Sequence, residues 1–167
     1  LITAGSTTGG TLKYSLTSGS GYDTELPKGK DAKSYTVYYK VIGDGEYADT
    51  AEAGITVAIA RKAVTVAPKA VSIAKGSTIP TFELVYTGLV SRESLTPSAT
   101  PTFTCYETGT TTPVSTSTAA GTYTITWTNM AGTTFTGAGS TNYTVTTSPT
   151  ATLTISNPSY SGGGSYT

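Results

Sequence analysis

One phrase occurs twice in this chain, and each time it closes a half. The first copy runs Ser34-Tyr35-Thr36-Val37-Tyr38-Tyr39, then a loop with Glu46-Tyr47, then Ile55-Thr56-Val57-Ala58-Ile59. The second runs Gly121-Thr122-Tyr123-Thr124-Ile125-Thr126-Trp127, then a loop with Asn142-Tyr143, then Ala151-Thr152-Leu153-Thr154-Ile155. Strand, aromatic loop and closing strand repeat in order, which predicts two β-modules in tandem. Arrays of small β-modules serve as stalks or recognition arms.

Alternation supports strands and argues against helices. Tyr35, Val37, Tyr39 and Val41 share one face, with Thr36, Tyr38, Lys40 and Ile42 opposite. Tyr123, Ile125 and Trp127 alternate with threonines, as do Leu153 and Ile155. This is the period-two pattern of half-buried antiparallel strands. No ten-residue stretch repeats apolar positions at helical spacing, so an all-β chain without a helix longer than about two turns is expected. Strands are predicted near 1–4, 11–16, 34–42 and 54–60, then near 63–67, 70–74, 81–87, 101–107, 113–116, 121–128, 142–147 and 150–156. The predicted division is a module over 1–60, a junction at 61–62, a module over 63–156 and a Gly/Ser linker over 157–167. Four strands are few for a sandwich, so the first module is expected to lack its opening strand. A two-residue junction, Arg61-Lys62, leaves little slack between modules.

Two positions predict an immunoglobulin-like sandwich. Tyr35 and Tyr123 each stand just inside a strand after a small-residue turn, at the place of a tyrosine corner, whose hydroxyl bonds back to upstream backbone.

Charge and composition remove several functions. The 10 basic and 10 acidic residues balance, so the footprint of a nucleic-acid binder is missing. No charged residue follows Glu107, and Ser with Thr, roughly a third of the chain, keeps that segment hydrated. His is absent, which removes the usual Ser-His and Cys-His nucleophile systems. Gln is absent, so a Thr–Gln ester cannot form. The single cysteine, Cys105, cannot make an intrachain disulfide and is expected to be a small buried hydrophobe. No segment has the apolar length of a membrane span. Leu1-Ile2-Thr3-Ala4 reads as the interior of a strand, which suggests a piece of something longer.

The remaining constellations favour ordinary roles. Asp44, Glu46, Asp49 and Glu52 lack the spacing of a calcium loop and read as a solvated acidic turn. Trp127 is in phase with a core face, so a sugar-stacking platform is not expected there; Tyr38 is the better candidate for exposure. Glu83, Glu93 and Glu107 are too scattered to read as a glycosidase pair. Lys62, Lys69 and Lys75 with Asn129, Asn142 and Asn157 contain the parts of an isopeptide crosslink without a placed acid. Asn142-Tyr143-Thr144 fits a glycosylation sequon but is expected to serve folding. No catalytic, cofactor-binding or metal residue is therefore assigned.

Residues 10–16, 26–32 and 35–44 resemble the Ig-like repeats of large bacterial surface proteins. Residues 63–156 look like an MBG domain of bacterial adhesin-like proteins. The marks are Val64-Thr65-Val66, Lys75-Gly76 with Pro80, Gly88-Leu89, Ala120-Gly121-Thr122-Tyr123, Asn142-Tyr143 and Leu153-Thr154-Ile155. The second segment departs from the family in having Lys75-Gly76-Ser77 for the usual Tyr-Gly-Asp turn. The resemblance implies tandem sandwiches in an extracellular protein of the bacterial surface or cell wall. It implies neighbouring modules of the same chain as partners, with host or cell-wall glycans or glycoproteins as further ones. Three functions follow: a non-catalytic spacer or adhesion segment, a carbohydrate- or mucin-binding module, or an accessory domain of a larger exported enzyme. The family's marks are turns and core positions, so no binding residue carries over.

Overall fold

A computed structural model describes residues 2–159, and the chain there is all-β. The strands are β1 (Thr11–Ser15), β2 (Ser34–Ile42), β3 (Ala53–Ala58), β4 (Lys62–Pro68), β5 (Val71–Ala74), β6 (Leu84–Thr87), β7 (Thr96–Pro97), β8 (Phe103–Cys105), β9 (Gly121–Trp127), β10 (Phe135–Thr136), β11 (Tyr143–Thr147) and β12 (Thr150–Ser156). One 3-10 turn, Ser140–Asn142, is the helical content of the described residues. Two compact units result. The first is Leu1–Lys62 with Thr141–Tyr143, and the second is Ala63–Ser140 with Thr144–Thr167.

The first unit holds a three-stranded antiparallel sheet in the order β1-β2-β3. Register places Leu12 against Val41, Tyr14 against Tyr39 and Val37 against Ile55. Because side chains alternate, these apolar residues fall on one face, while Lys13, Thr36, Lys40 and Thr56 fall on the other. Tyr14 and Val37 are the buried apolar residues there.

The second unit holds a four-stranded sheet, β5-β12-β9-β8, a three-stranded sheet, β11-β4-β6, and a two-stranded ladder, β10-β7. This is a β-sandwich-like arrangement. On the inner face of the four-stranded sheet, Cys105, Ile125, Leu153 and Ile155 form one buried cluster. Val71, Ile73, Phe82, Phe103, Val114 and Tyr123 pack against it, Phe82 and Phe103 edge to face at 6.4 Å. Trp127 is 2% exposed, two residues beyond Ile125 on the same strand, and its Nε1 donates to Asn129 Oδ1 at 2.9 Å. The opposite face is lined with hydroxyls: Thr104, Thr126 and Thr150 align across three strands, as do Ser72, Thr154 and Thr122. β-branched and hydrated, threonine suits such a face without any charge.

Several boundaries differ from the sequence reading. Ile2–Ala4 is irregular rather than a strand, and Leu1 lies outside the described residues. Near 113–116 there is only an isolated bridge, Pro113 to Tyr106, since proline has no N–H for a ladder. Residues 81–87 and 101–107 narrow to the four residues of β6 and the three of β8. Lys62, expected in the junction, already belongs to β4. The β7–β10 pair was not visible, because each strand is two residues long and shows no alternation. Of the expected Gly/Ser linker, residues from Tyr160 onward lie outside the described part.

Trp127 is almost fully buried, and its indole N–H is satisfied in place. Trp127→Ala is expected to destabilise the second unit by about 3–5 kcal/mol. Urea unfolding followed by circular dichroism measures this; a midpoint equal to the parent's contradicts the packing described.

Candidate functional site

Only one face of the first unit's sheet is apolar, and no second sheet lies over it among the described residues. Irregular segments around Ile2–Thr7 and Leu26–Gly29 run across it instead. They leave a cleft of about 700 Å³ whose floor includes Leu12, Tyr14, Val37, Tyr39 and Val41. Ile55, on the outer strand, is 51% exposed and Tyr39 39%. The sequence reading favoured Tyr38 for exposure, yet Tyr38 is half-buried. Its face carries neighbours, since it lies near Gly54 and beside Tyr22, whereas Tyr39 faces the incompletely covered side.

The polar side of the same sheet carries a clasp. Glu52 Oε1 accepts from Ser18 Oγ at 2.7 Å, and Oε2 accepts from the Gly19 N–H at 2.7 Å and from the Tyr22 hydroxyl. Lys40 Nζ lies 4.7 Å from the centre of the Tyr22 ring, a cation–π distance. These contacts tie the Thr17–Tyr22 loop to the start of β3. Lost hydration and the Glu52 hydrogen bond push the Tyr22 hydroxyl up to about 12. The Tyr22 hydrogen bond, then those of Gly19 and Ser18, hold the Glu52 carboxyl below its ordinary range.

Two acids of the turn between β2 and β3 also bond nearby backbone. Asp44 Oδ1 accepts from the Glu46 N–H at 3.2 Å, and Asp49 Oδ1 from the Gly43 N–H at 2.9 Å. Gly43 is required where it stands, because a Cβ there would collide with the Tyr47 carbonyl. Among the described residues no three acidic, His or Cys side chains gather as a metal set.

In the second unit the singled-out residues are engaged separately. Glu83 pairs with Lys69 at 2.6 Å on the surface, and Glu107 accepts from Thr118 Oγ1 at 2.7 Å. Glu93 lies in the loop between β6 and β7. Asn129 Oδ1 accepts from the Thr102 N–H at 2.9 Å as well as from Trp127, and its Nδ2 donates to the Thr100 carbonyl at 2.9 Å. Its amide is thus committed to holding a turn. Cys105 is buried, and burial pushes its thiol up, away from the reactive thiolate.

Both expected corner tyrosines make the corner bond. Tyr35 Oη donates to the Asp31 carbonyl at 3.0 Å and accepts from the Asp31 N–H at 3.0 Å. Tyr123 Oη donates to the Ala119 carbonyl at 2.8 Å. Each reaches four residues back, across the turn that opens its strand.

No protein-family model, curated protein or solved structure matches this chain.

The Glu52 clasp predicts a pH response. A carboxyl lowered by folding contributes stability above its unfolded pKa and loses it as pH falls through the folded value. Tyr22, raised by folding, contributes below its unfolded value and loses this as pH climbs toward 12. The first unit is therefore expected to weaken below about pH 4, and Glu52→Gln to flatten that acid limb. Hydrogen exchange of residues 17–22 across pH reads it; an unchanged acid limb in Glu52→Gln removes the clasp from the account.

Proposed function

We propose that this chain is a structural spacer or adhesion segment of a bacterial cell-surface protein, built of Ig-like modules and working without catalysis. The observation that carries this reading is the parallel pair β5–β12. Here Val71 to Ala74 run beside Leu153 to Ser156, and the Lys75 N–H extends the pairing to the Ser156 carbonyl at 2.8 Å. One strand lies near the start of the second unit and the other near its end. Tension from the N-terminal side first meets β4, and what passes beyond it pulls β5 by its N-terminal end while β12 is pulled by its C-terminal end. In a parallel pair these are opposite ends, so the hydrogen bonds are loaded together in shear rather than opened one at a time. Such a clamp suits a module that transmits force between neighbours.

The corner bonds of Tyr35 and Tyr123 support Ig-like modules, and the resemblance in sequence supports the bacterial surface. A carbohydrate- or mucin-binding module is the second reading. The cleft of the first unit is what favours it, since Tyr14 and Tyr39 on its floor are aromatic, although the rest of the floor is aliphatic and offers a sugar few hydrogen bonds. An accessory domain of an exported enzyme would need the same stiff modules.

Single-molecule pulling through the chain ends tests the proposal. Alternate residues of an edge strand donate inward, so Val71→Pro and Ser72→Pro sample both phases. At least one is expected to lower the unfolding force of the second unit clearly. Forces equal to the parent's in both variants, or retention of the chain on mucin or glycan columns, would overturn the spacer reading.

A further inference from the structure

β3 is the longest edge strand of the described chain. β3, Ala53-Gly54-Ile55-Thr56-Val57-Ala58, is six residues long and pairs on one side with β2. It holds no charge, no proline and no bulge, the usual devices that blunt an edge. By contrast, β1 has its outer side partly closed by the Tyr14–Asp23 bridge, through bonds of 2.7 and 2.9 Å. The other edge strands are shorter: β11 has five residues, β5 and β6 four each, and β8 three.

The ladder fixes which groups face outward. The Ile59 N–H donates to the Lys33 carbonyl at 3.0 Å, in the same register as Val57 on Tyr35 and Ile55 on Val37. Antiparallel pairs alternate, so Ile55, Val57 and Ile59 bond inward. Gly54, Thr56 and Ala58 turn their N–H and C=O to the open side.

Charge selects the occupant. Asp44, Glu46, Asp49 and Glu52 precede β3, and Arg61 and Lys62 follow it. Parallel addition of an identical strand sets acid on acid and base on base. Antiparallel addition sets each acidic flank against a basic one. We propose that a second copy of this chain adds to β3 antiparallel, about a two-fold axis through Ile55. In this register Gly54 exchanges hydrogen bonds with Thr56 of the copy, as the outward groups require. Ile55 meets its own counterpart on the apolar face, and Asp49 lies opposite Arg61. The result is a continuous six-stranded sheet that covers part of the exposed Ile55.

Sedimentation of the whole chain up to about 100 µM is expected to show a reversible dimer, weakened by salt because the flanking pairs are exposed. Ile55→Lys should weaken it at least about tenfold; Ile55 is 51% exposed, so the fold should tolerate the change. Arg61→Asp and Asp49→Arg should each weaken self-association, and an equimolar mixture of the two should associate again. Under mild oxidation Ile55→Cys should yield a crosslinked dimer, whereas Val57→Cys, opposite Ala53, should not. A monomer at every concentration overturns the proposal. So does a dimer that survives Ile55→Lys, and so does open-ended growth, which means a different pairing of edges.

Discussion

The strand that ends the second unit holds its larger sheet together. β12 bonds to β9 on one side and β5 on the other, so a single register links residues that lie far apart in sequence. Its sequence, Thr-Ala-Thr-Leu-Thr-Ile-Ser, alternates without a break. A slip of one residue would turn Leu153 and Ile155 to water and bring threonines into the core. Leu153 is fully buried and Ile155 3% exposed, so that slip costs several kcal/mol of apolar burial. The hydroxyl rows on the outer face and the parallel pairing with β5 both follow from this one alignment.

The first unit is organised differently because its sheet has only one partner layer, made of irregular chain. Two buried apolar residues, Tyr14 and Val37, are a small core for a sheet of three strands. Local polar contacts do much of the positioning instead. The Tyr14 hydroxyl accepts from the Gly5 N–H at 2.8 Å, which draws the first segment over the sheet. Ser15 Oγ donates to the Ser20 carbonyl at 2.6 Å, and Glu52 gathers the same loop from the other side. Such bonds position the loops but leave the sheet face partly open. An open face and an unblunted edge have the same origin: the first unit has fewer strands than its apolar pattern can bury.

What was legible in the sequence is what local periodicity determines. Tyr35 and Tyr123 announced their corner bonds, because a small-residue turn before an aromatic strand leaves the hydroxyl few other backbone partners. Trp127 announced its burial through its phase with Ile125. The Tyr38 and Tyr39 exposures came out reversed, since which face of β2 is covered depends on whether a second layer exists, and no local pattern records that. The strand expected at 1–4 failed for the same reason. Ile2 is apolar enough for a strand but lines the cleft instead. The Glu52 clasp was also hidden. Its donors come from positions 18, 19 and 22, which lie 30 to 34 residues away along the chain.

Charge placement links these levels. Beyond Glu107 the chain carries none, and there hydroxyl groups are supplied by threonine rows that are also good strand formers. Before residue 63 the charges are abundant but avoid β3 itself, gathering on either side of it. A strand that must not pair with others usually carries a lysine or a proline within its own length. β3 carries neither, while the sheet's other outer strand, β1, holds Lys13 and a bridge across its edge. Two edges of one small sheet thus obey opposite rules. That asymmetry is a property of sequence and register together, and it gives the first unit one side built to remain alone and one side built to be joined.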